Sequence, residues 1–199
     1  MVILAIIALF LGVLYGLIGF DIELINYITN NVDYILYLLM FLVGINVGLN
    51  RGIVNKIKEY HIKIFIIPIG TIVGSILGGV ICSFISAYAI NECTAVASGL
   101  GWYSLSGVAV SKLAGAKLGS ITFLSNLMRE IFSFFCIPWI AKYLNNYSCI
   151  AMAGATSEDT TLPMLIRYTD EETVVLAVFN GVICSACVLF LIELCYRVF

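Results

Sequence analysis

Four ionisable residues in this chain are flanked by apolar sequence, and their spacing limits the chemistry available to it. Arg129 and Glu130 lie near the midpoint of one apolar stretch, and Glu158 and Asp159 interrupt another. A charge at the centre of a membrane-spanning helix costs at least ~2.5–3.5 kcal/mol, so such residues face a protein interior or a wet cavity. Adjacent helical positions point about 100° apart, so Arg129 and Glu130 cannot share one direction. Thr122, Asn126 and Glu130 recur at every fourth residue and form one polar stripe, whereas Arg129 stands beside Ser125 and Ser133. A carboxylate held in this way binds cations: protons, metal ions or ammonium groups. The competing structural reading is a buried ion pair or hydrogen-bonded network that fixes helix register.

The second acidic pair belongs to a longer interruption, Gly154-Ala155-Thr156-Ser157-Glu158-Asp159-Thr160-Thr161-Leu162-Pro163. Thr156, Ser157 and Thr161 could coordinate a substrate or satisfy unwound backbone. Pro163 suits the first turn of a resumed half-helix, where its missing N–H is not needed. A half-helix starting there would present free N–H groups and a positive dipole end. Carboxylates for ammonium groups together with N–H donors for a carboxylate are what an amino acid requires. The bland alternative is a solvated loop.

An earlier interruption, Gly99-Leu100-Gly101-Trp102-Tyr103-Ser104-Leu105-Ser106-Gly107, supplies glycines, aromatic faces and hydroxyls but no charge. Trp102 and Tyr103 could attract a cationic ligand through their ring faces, with Ser104 and Ser106 as hydroxyl partners. Gly99, Gly101, Gly107, Gly154 and Pro163 are the residues expected to break the helices. Freed backbone groups have no water to bond in a bilayer, so such breaks persist only inside protein or along a cavity. Discontinuous helices of this kind form the substrate and ion sites of secondary transporters. Together the two breaks predict a transport site.

The elements that must position these residues are helical. Hydrophobic residues make up 62% and charged residues 11% of the 199 positions, against roughly 45–50% and about 25% in soluble domains. With a mean hydropathy of +1.08, the chain reads as one all-α polytopic membrane domain over residues 1–199. Seven apolar segments are visible, approximately 2–20, 34–49, 62–90, 93–111, 118–144, 148–166 and 173–198. A crossing helix needs ~17–25 residues. Segments 93–111 and 148–166 are the interrupted ones, either crossing or re-entrant. Arg51, Lys56, Lys58 and Lys63 follow segment 34–49, whereas Asp21, Glu23 and Asp33 precede it. By the positive-inside rule the basic loop is cytoplasmic, which places the N-terminus inside and the C-terminus outside. Gly12 and Gly16, Gly44 and Gly48, and Gly70, Gly74 and Gly78 follow the small-xxx-small spacing of close helix approach.

Other chemistries are poorly supported. The net charge of −2 carries no basic run of the kind that binds nucleic acid. The seven cysteines are odd in number and mostly lie in apolar segments, which argues against a disulfide framework. Cys184-x-x-Cys187 has no second ligand pair, and the only histidine, His61, lies in the basic loop; no metal or other cofactor is expected. No catalytic constellation is present, so an enzyme is the least favoured class. Met1–Phe20 lacks the basic start and cleavage site of a signal peptide and reads as a retained span. Its bare start suggests that a preceding part is encoded elsewhere.

These motifs together resemble the LysO-type lysine exporter family. The resemblance rests on Phe41-Leu42-Val43-Gly44-Ile45, on Ala97-Ser98-Gly99-Leu100-Gly101-Trp102-Tyr103-Ser104-Leu105-Ser106-Gly107 and on Leu118-Gly119-Ser120. It continues through Arg129-Glu130 and Gly154-Ala155-Thr156-Ser157 with Asp159, Thr161, Leu162 and Pro163. It implies export of L-lysine and toxic lysine analogues across the cytoplasmic (inner) membrane, with the family's acids falling on Glu130 and Asp159. Antiport with protons is the expected coupling, proton and ammonium competing for these acids. Ser125-Asn126 stands where the family pattern has Asn-Asp, removing one acid. Full-length members also carry about three additional N-terminal spans. The resemblance therefore implies a small separately encoded N-terminal subunit, or a homodimer, as partner. An ion channel or passive pore, and a structural assembly subunit, are the alternatives.

Overall fold

The computed structural model describes residues 2–19, 22–31, 34, 38, 41, 45 and 63–199. Regular structure among the described residues is helical, and the chain divides into two units, Met1–Ile45 and Asn46–Phe199. The first unit holds α1 (Val2–Ile18) and α2 (Glu23–Asn30). α1 contains no charged residue and, at 17 residues, sits at the lower limit for a span. The Tyr15 hydroxyl accepts a hydrogen bond from the Ile22 N–H just before α2. Most of segment 34–49 and the basic loop with Arg51, Lys56, Lys58 and His61 lie outside the described residues.

The second unit alternates long helices with broken ones. The long helices are α3 (Lys63–Ile85), α6 (Ala116–Tyr143) and α9 (Glu171–Val198). α4 (Ile90–Ala97) and α5 (Tyr103–Ala114) fill the stretch between α3 and α6. α7 (Asn146–Ala153), a 3-10 turn (Gly154–Glu158) and α8 (Leu162–Tyr168) fill the stretch between α6 and α9. Three stretches, Ile64–Ile85, Ala116–Tyr143 and Glu171–Val198, are long and apolar enough to cross a membrane, by length and composition. Segments 93–111 and 148–166 are thus each two shorter helices joined by a break, and the expected count of seven is not reproduced among the described residues.

Side-chain placement follows from the solvent this fold requires. Phe65, Ile66, Ile69, Val73, Leu77 and Phe84 of α3 are exposed, as are Phe132, Phe135 and Trp139 of α6. In water so large an apolar surface would drive association, whereas in a bilayer it is the lipid-facing surface. Polar residues lie inside instead: Thr94, Ser98, Ser106, Thr122, Asn126, Glu130, Ser133, Ser157, Thr161 and Asn180 are all buried. An apolar core formed by Ile64, Ile137, Ile150, Leu165, Leu176 and Phe179, among others, packs beside them.

Two helix starts, those of α7 and α9, are fixed by side-chain caps. Asn145 accepts from the Ser148 N–H at the start of α7, and Asp170 accepts from the Thr173 N–H at the start of α9. Asn146 also donates to Asp170, tying the two starts together. Glu92 lies in the first turn of α4 and accepts from the Ala89 N–H. Close helix approach uses glycines other than those the spacing pattern selects. A Cβ on Gly79 would sit 2.8 Å from the Thr94 Cα, so Gly79 is what lets α3 meet α4. Gly12, Gly16, Gly70, Gly74 and Gly78 have no atom within 4 Å of such a Cβ. Gly107 lies within α5, not in the break. There it faces Gly119 and Phe123 of α6, where a Cβ on Gly119 would fall 2.8 Å from the Gly107 carbonyl oxygen.

Candidate functional site at the crossing of two helix breaks

α4 ends at Ala97, and the chain turns through Ser98–Trp102 before α5 begins. The turn needs left-handed backbone at two successive residues, Leu100 (φ +52°) and Gly101 (φ +102°). Glycine takes such values freely, but a buried leucine does so only where its surroundings impose it. The imposing contact is Asn126 of α6. Its Oδ1 accepts from the Gly101 N–H at 2.8 Å, and its Nδ2 donates to the carbonyls of Val96 (3.0 Å) and Thr122 (2.9 Å). One amide thereby satisfies a donor and an acceptor released by the first break. Gly99 must be glycine for this purpose, since a Cβ there would lie 2.5–2.7 Å from the Asn126 amide.

Arg129, one turn further along α6, serves the second break. Its Nη2 donates to the Ala151 carbonyl at 3.1 Å, its Nε to the Met152 carbonyl at 3.4 Å, and its Nη1 to the Ser75 hydroxyl at 2.9 Å. These carbonyls are the open end of α7, where the helix dipole leaves partial negative charge that a guanidinium offsets. Among the described residues no carboxylate pairs with Arg129; the ion pair found there is the exposed i,i+4 pair Glu193–Arg197 at the end of α9. The network reading of the sequence is therefore met by carbonyls and not by Glu130.

The two breaks cross. The Ala155 N–H donates to the Leu100 carbonyl at 2.9 Å. At the crossing Gly154 has φ +64° and ψ −130°, and a Cβ on it would lie 2.4 Å from that same oxygen. α9 holds the second break from behind. Asn180 donates to the Gly154 carbonyl at 2.8 Å and the Ser157 hydroxyl at 3.0 Å, and Ser157 reaches the Ala177 carbonyl at 2.7 Å. Gly181 leaves room for Glu158, whose carboxylate accepts from the Ser185 hydroxyl at 2.9 Å. Thr156 donates to the Ala153 carbonyl, Thr161 to the Thr156 carbonyl, and Ser106 to the Trp102 carbonyl. These hydroxyls thus hold the break backbone in shape. Pro163 is the second residue of α8.

On the other side of the crossing lies the acidic cluster. Glu130 is 1% exposed, and neither of its carboxylate oxygens has a hydrogen-bond partner. Asp159 is exposed, accepts from the Thr160 N–H, and is close enough to interact with Glu130 electrostatically. The Thr160 hydroxyl is buried and comes within interacting range of Glu130 without reaching hydrogen-bond geometry. Tyr103, half-buried at the first position of α5, senses both carboxylates and packs edge-on against Phe123 with ring centres 5.2 Å apart. Trp102 is half-buried and Ser104 exposed. A buried carboxylate with no hydrogen-bonded donor among the described residues, within electrostatic range of a second carboxylate, can receive a cation.

Much of the break backbone is engaged within the protein. The N–H groups of Gly99, Leu100, Gly101, Trp102, Tyr103, Ala155, Asp159, Thr160 and Thr161 all have acceptors within the protein. Of the half-helix donors expected after Thr161, the Met164 and Leu165 N–H groups bond the Thr161 carbonyl. Asn180, Ser185 and Ser75 were not singled out by sequence reasoning. An asparagine inside the apolar stretch 173–198 was a readable signal, whereas Ser75 is indistinguishable from its small neighbours.

Comparison with known proteins adds a family-level match. The family model described as "Lysine exporter LysO" matches residues 6–196. The chain is 36% identical over 182 residues to the lysine exporter LysO of Escherichia coli, covering 92% of this chain and 60% of that protein. It is also 36% identical over 152 residues to a provisionally named lysine exporter of Haemophilus influenzae, covering 75% of this chain and 76% of that one. The chain thus spans about three-fifths of the length of the E. coli relative. No solved structure matches.

Proposed function

The chain belongs to the lysine exporter LysO family, and on that premise we propose that it is a secondary active exporter of L-lysine and of toxic lysine analogues. It is an integral membrane protein, and the proposed location is the inner membrane with the N-terminus inside and the C-terminus outside. The observation that carries the reading is the unpartnered carboxylate of Glu130 beside Asp159 at the crossing of two helix breaks. Glu130 and Asp159 receive the ammonium groups of the cargo. Protons compete for the same carboxylates, so that protonation from outside releases lysine and returns the acids neutral through the apolar barrier. Tyr103, Trp102 and Thr160 form the aromatic and hydroxyl wall, while Asn126, Arg129, Ser106, Thr156, Ser157 and Thr161 hold the breaks. Residues 1–199 act as one transporter domain. A small separate subunit supplying the part of the E. coli relative that has no counterpart here, or a second copy, completes the assembly.

A carrier and a pore differ in one measurable respect. Vesicles containing the protein and loaded with unlabelled lysine should accumulate external radiolabelled lysine transiently, at a rate that saturates with concentration. A rate that rises linearly without counterflow would identify a pore and refute the carrier.

A further inference from the structure

A cavity of about 470 Å³ opens between α3, α4 and α6, within the range of small-ligand sites. Its walls include Ser75, Gly78, Cys82, Tyr88 and Ser125, and Arg129 also lines it; neither Glu130 nor Asp159 does. Three of the five guanidinium N–H groups of Arg129 are engaged, which leaves two for a ligand. Among the described residues no acidic side chain lines the cavity, and Arg129 is the charged group that would favour an anion there.

Depth restricts which anion. Ser75 lies at the middle of α3 and Arg129 at the middle of α6, so the guanidinium sits near the bilayer midplane, about 15 Å from the headgroups. Lipid phosphates do not reach it. A cargo that crosses the membrane does. Many of the backbone donors of both breaks are engaged within the protein, whereas Arg129 brings a charged donor to the cavity wall.

We propose that Arg129, at the wall of this cavity, receives the α-carboxylate of the amino-acid cargo and thereby selects amino acids over simple diamines. This rests on the lysine-export reading. A guanidinium can take a carboxylate through two parallel N–H bonds, a fit that a neutral amide loses. A site built around a particular polar group discriminates strongly against analogues that lack it.

The test is competition against labelled lysine counterflow by unlabelled L-lysine and by cadaverine, which is lysine without its carboxylate. Wild-type protein should prefer lysine by about 100-fold or more. In Arg129→Gln, which keeps amide donors for the α7 carbonyls, the preference should fall to about threefold or less while cadaverine competes as before. Ser125→Leu fills the cavity from an exposed wall position without touching the Arg129 hydrogen bonds, and should lose the same preference if Arg129→Gln fails to accumulate. An undiminished preference in either variant, or none in wild type, overturns the proposal. Absence of any lysine counterflow in wild type would instead refute the export reading on which it rests.

Discussion

Gly154→Ala is expected to destabilise the protein by roughly 3 kcal/mol or more, enough to remove most folded material from the membrane. Two effects add at this position. The backbone at φ +64° and ψ −130° lies outside the left-handed pocket that non-glycine residues tolerate. The new methyl would also meet the Leu100 carbonyl oxygen at 2.4 Å. That oxygen accepts the Ala155 N–H, so relief of the clash breaks the hydrogen bond joining the two breaks. Gly115 provides the control. It too has positive φ (+89°), but nothing lies within 4 Å of its added Cβ. Gly115→Ala should cost only the backbone strain, about 1–2 kcal/mol. Thermal denaturation of the two variants in detergent checks the ordering, and equal stabilities would show that the crossing does not hold the breaks.

Glu130→Gln is expected to have the opposite effect on stability and a severe one on transport. A carboxylate that is 1% exposed, without a hydrogen-bond partner among the described residues, bears a desolvation cost. Replacing it with a neutral isostere removes that cost. The melting temperature should be equal to or higher than that of wild type, while lysine efflux falls about 100-fold through loss of the charged partner for an ammonium group. Retention of a residue that weakens the fold is what a binding site requires. A variant that melts markedly lower would assign Glu130 a structural role.

The polar stripe of Thr122, Asn126 and Glu130 was legible from four-residue spacing alone, and all three side chains are buried together in α6. Both breaks were legible because glycine, hydroxyl and acidic residues interrupt apolar sequence where no bilayer helix tolerates them. What those breaks meet was not. Leu100 and Ala155 are bonded across the whole of α5, α6 and α7, and no local pattern encodes such a contact. Charge type misled in one respect, because an arginine beside a glutamate suggests a carboxylate partner whereas Arg129 caps the carbonyls of α7. Glycine spacing told less: the pattern of Gly70, Gly74 and Gly78 marks a face without identifying what packs on it, and the close approach of α3 to α4 is made by Gly79. Break boundaries drawn from composition also ran long: Gly107 belongs to α5, where its lack of a side chain serves helix packing.

The central claim is that two carboxylates beside the crossing carry the cargo's positive charge. Efflux of labelled lysine from loaded vesicles carrying the Glu130→Gln, Asp159→Asn double variant tests it most directly, with protein abundance and melting temperature measured on the same preparation. Efflux should be no faster than from vesicles lacking the protein, at wild-type abundance and with undiminished thermal stability. Lysine efflux at the wild-type rate from that double variant would contradict it.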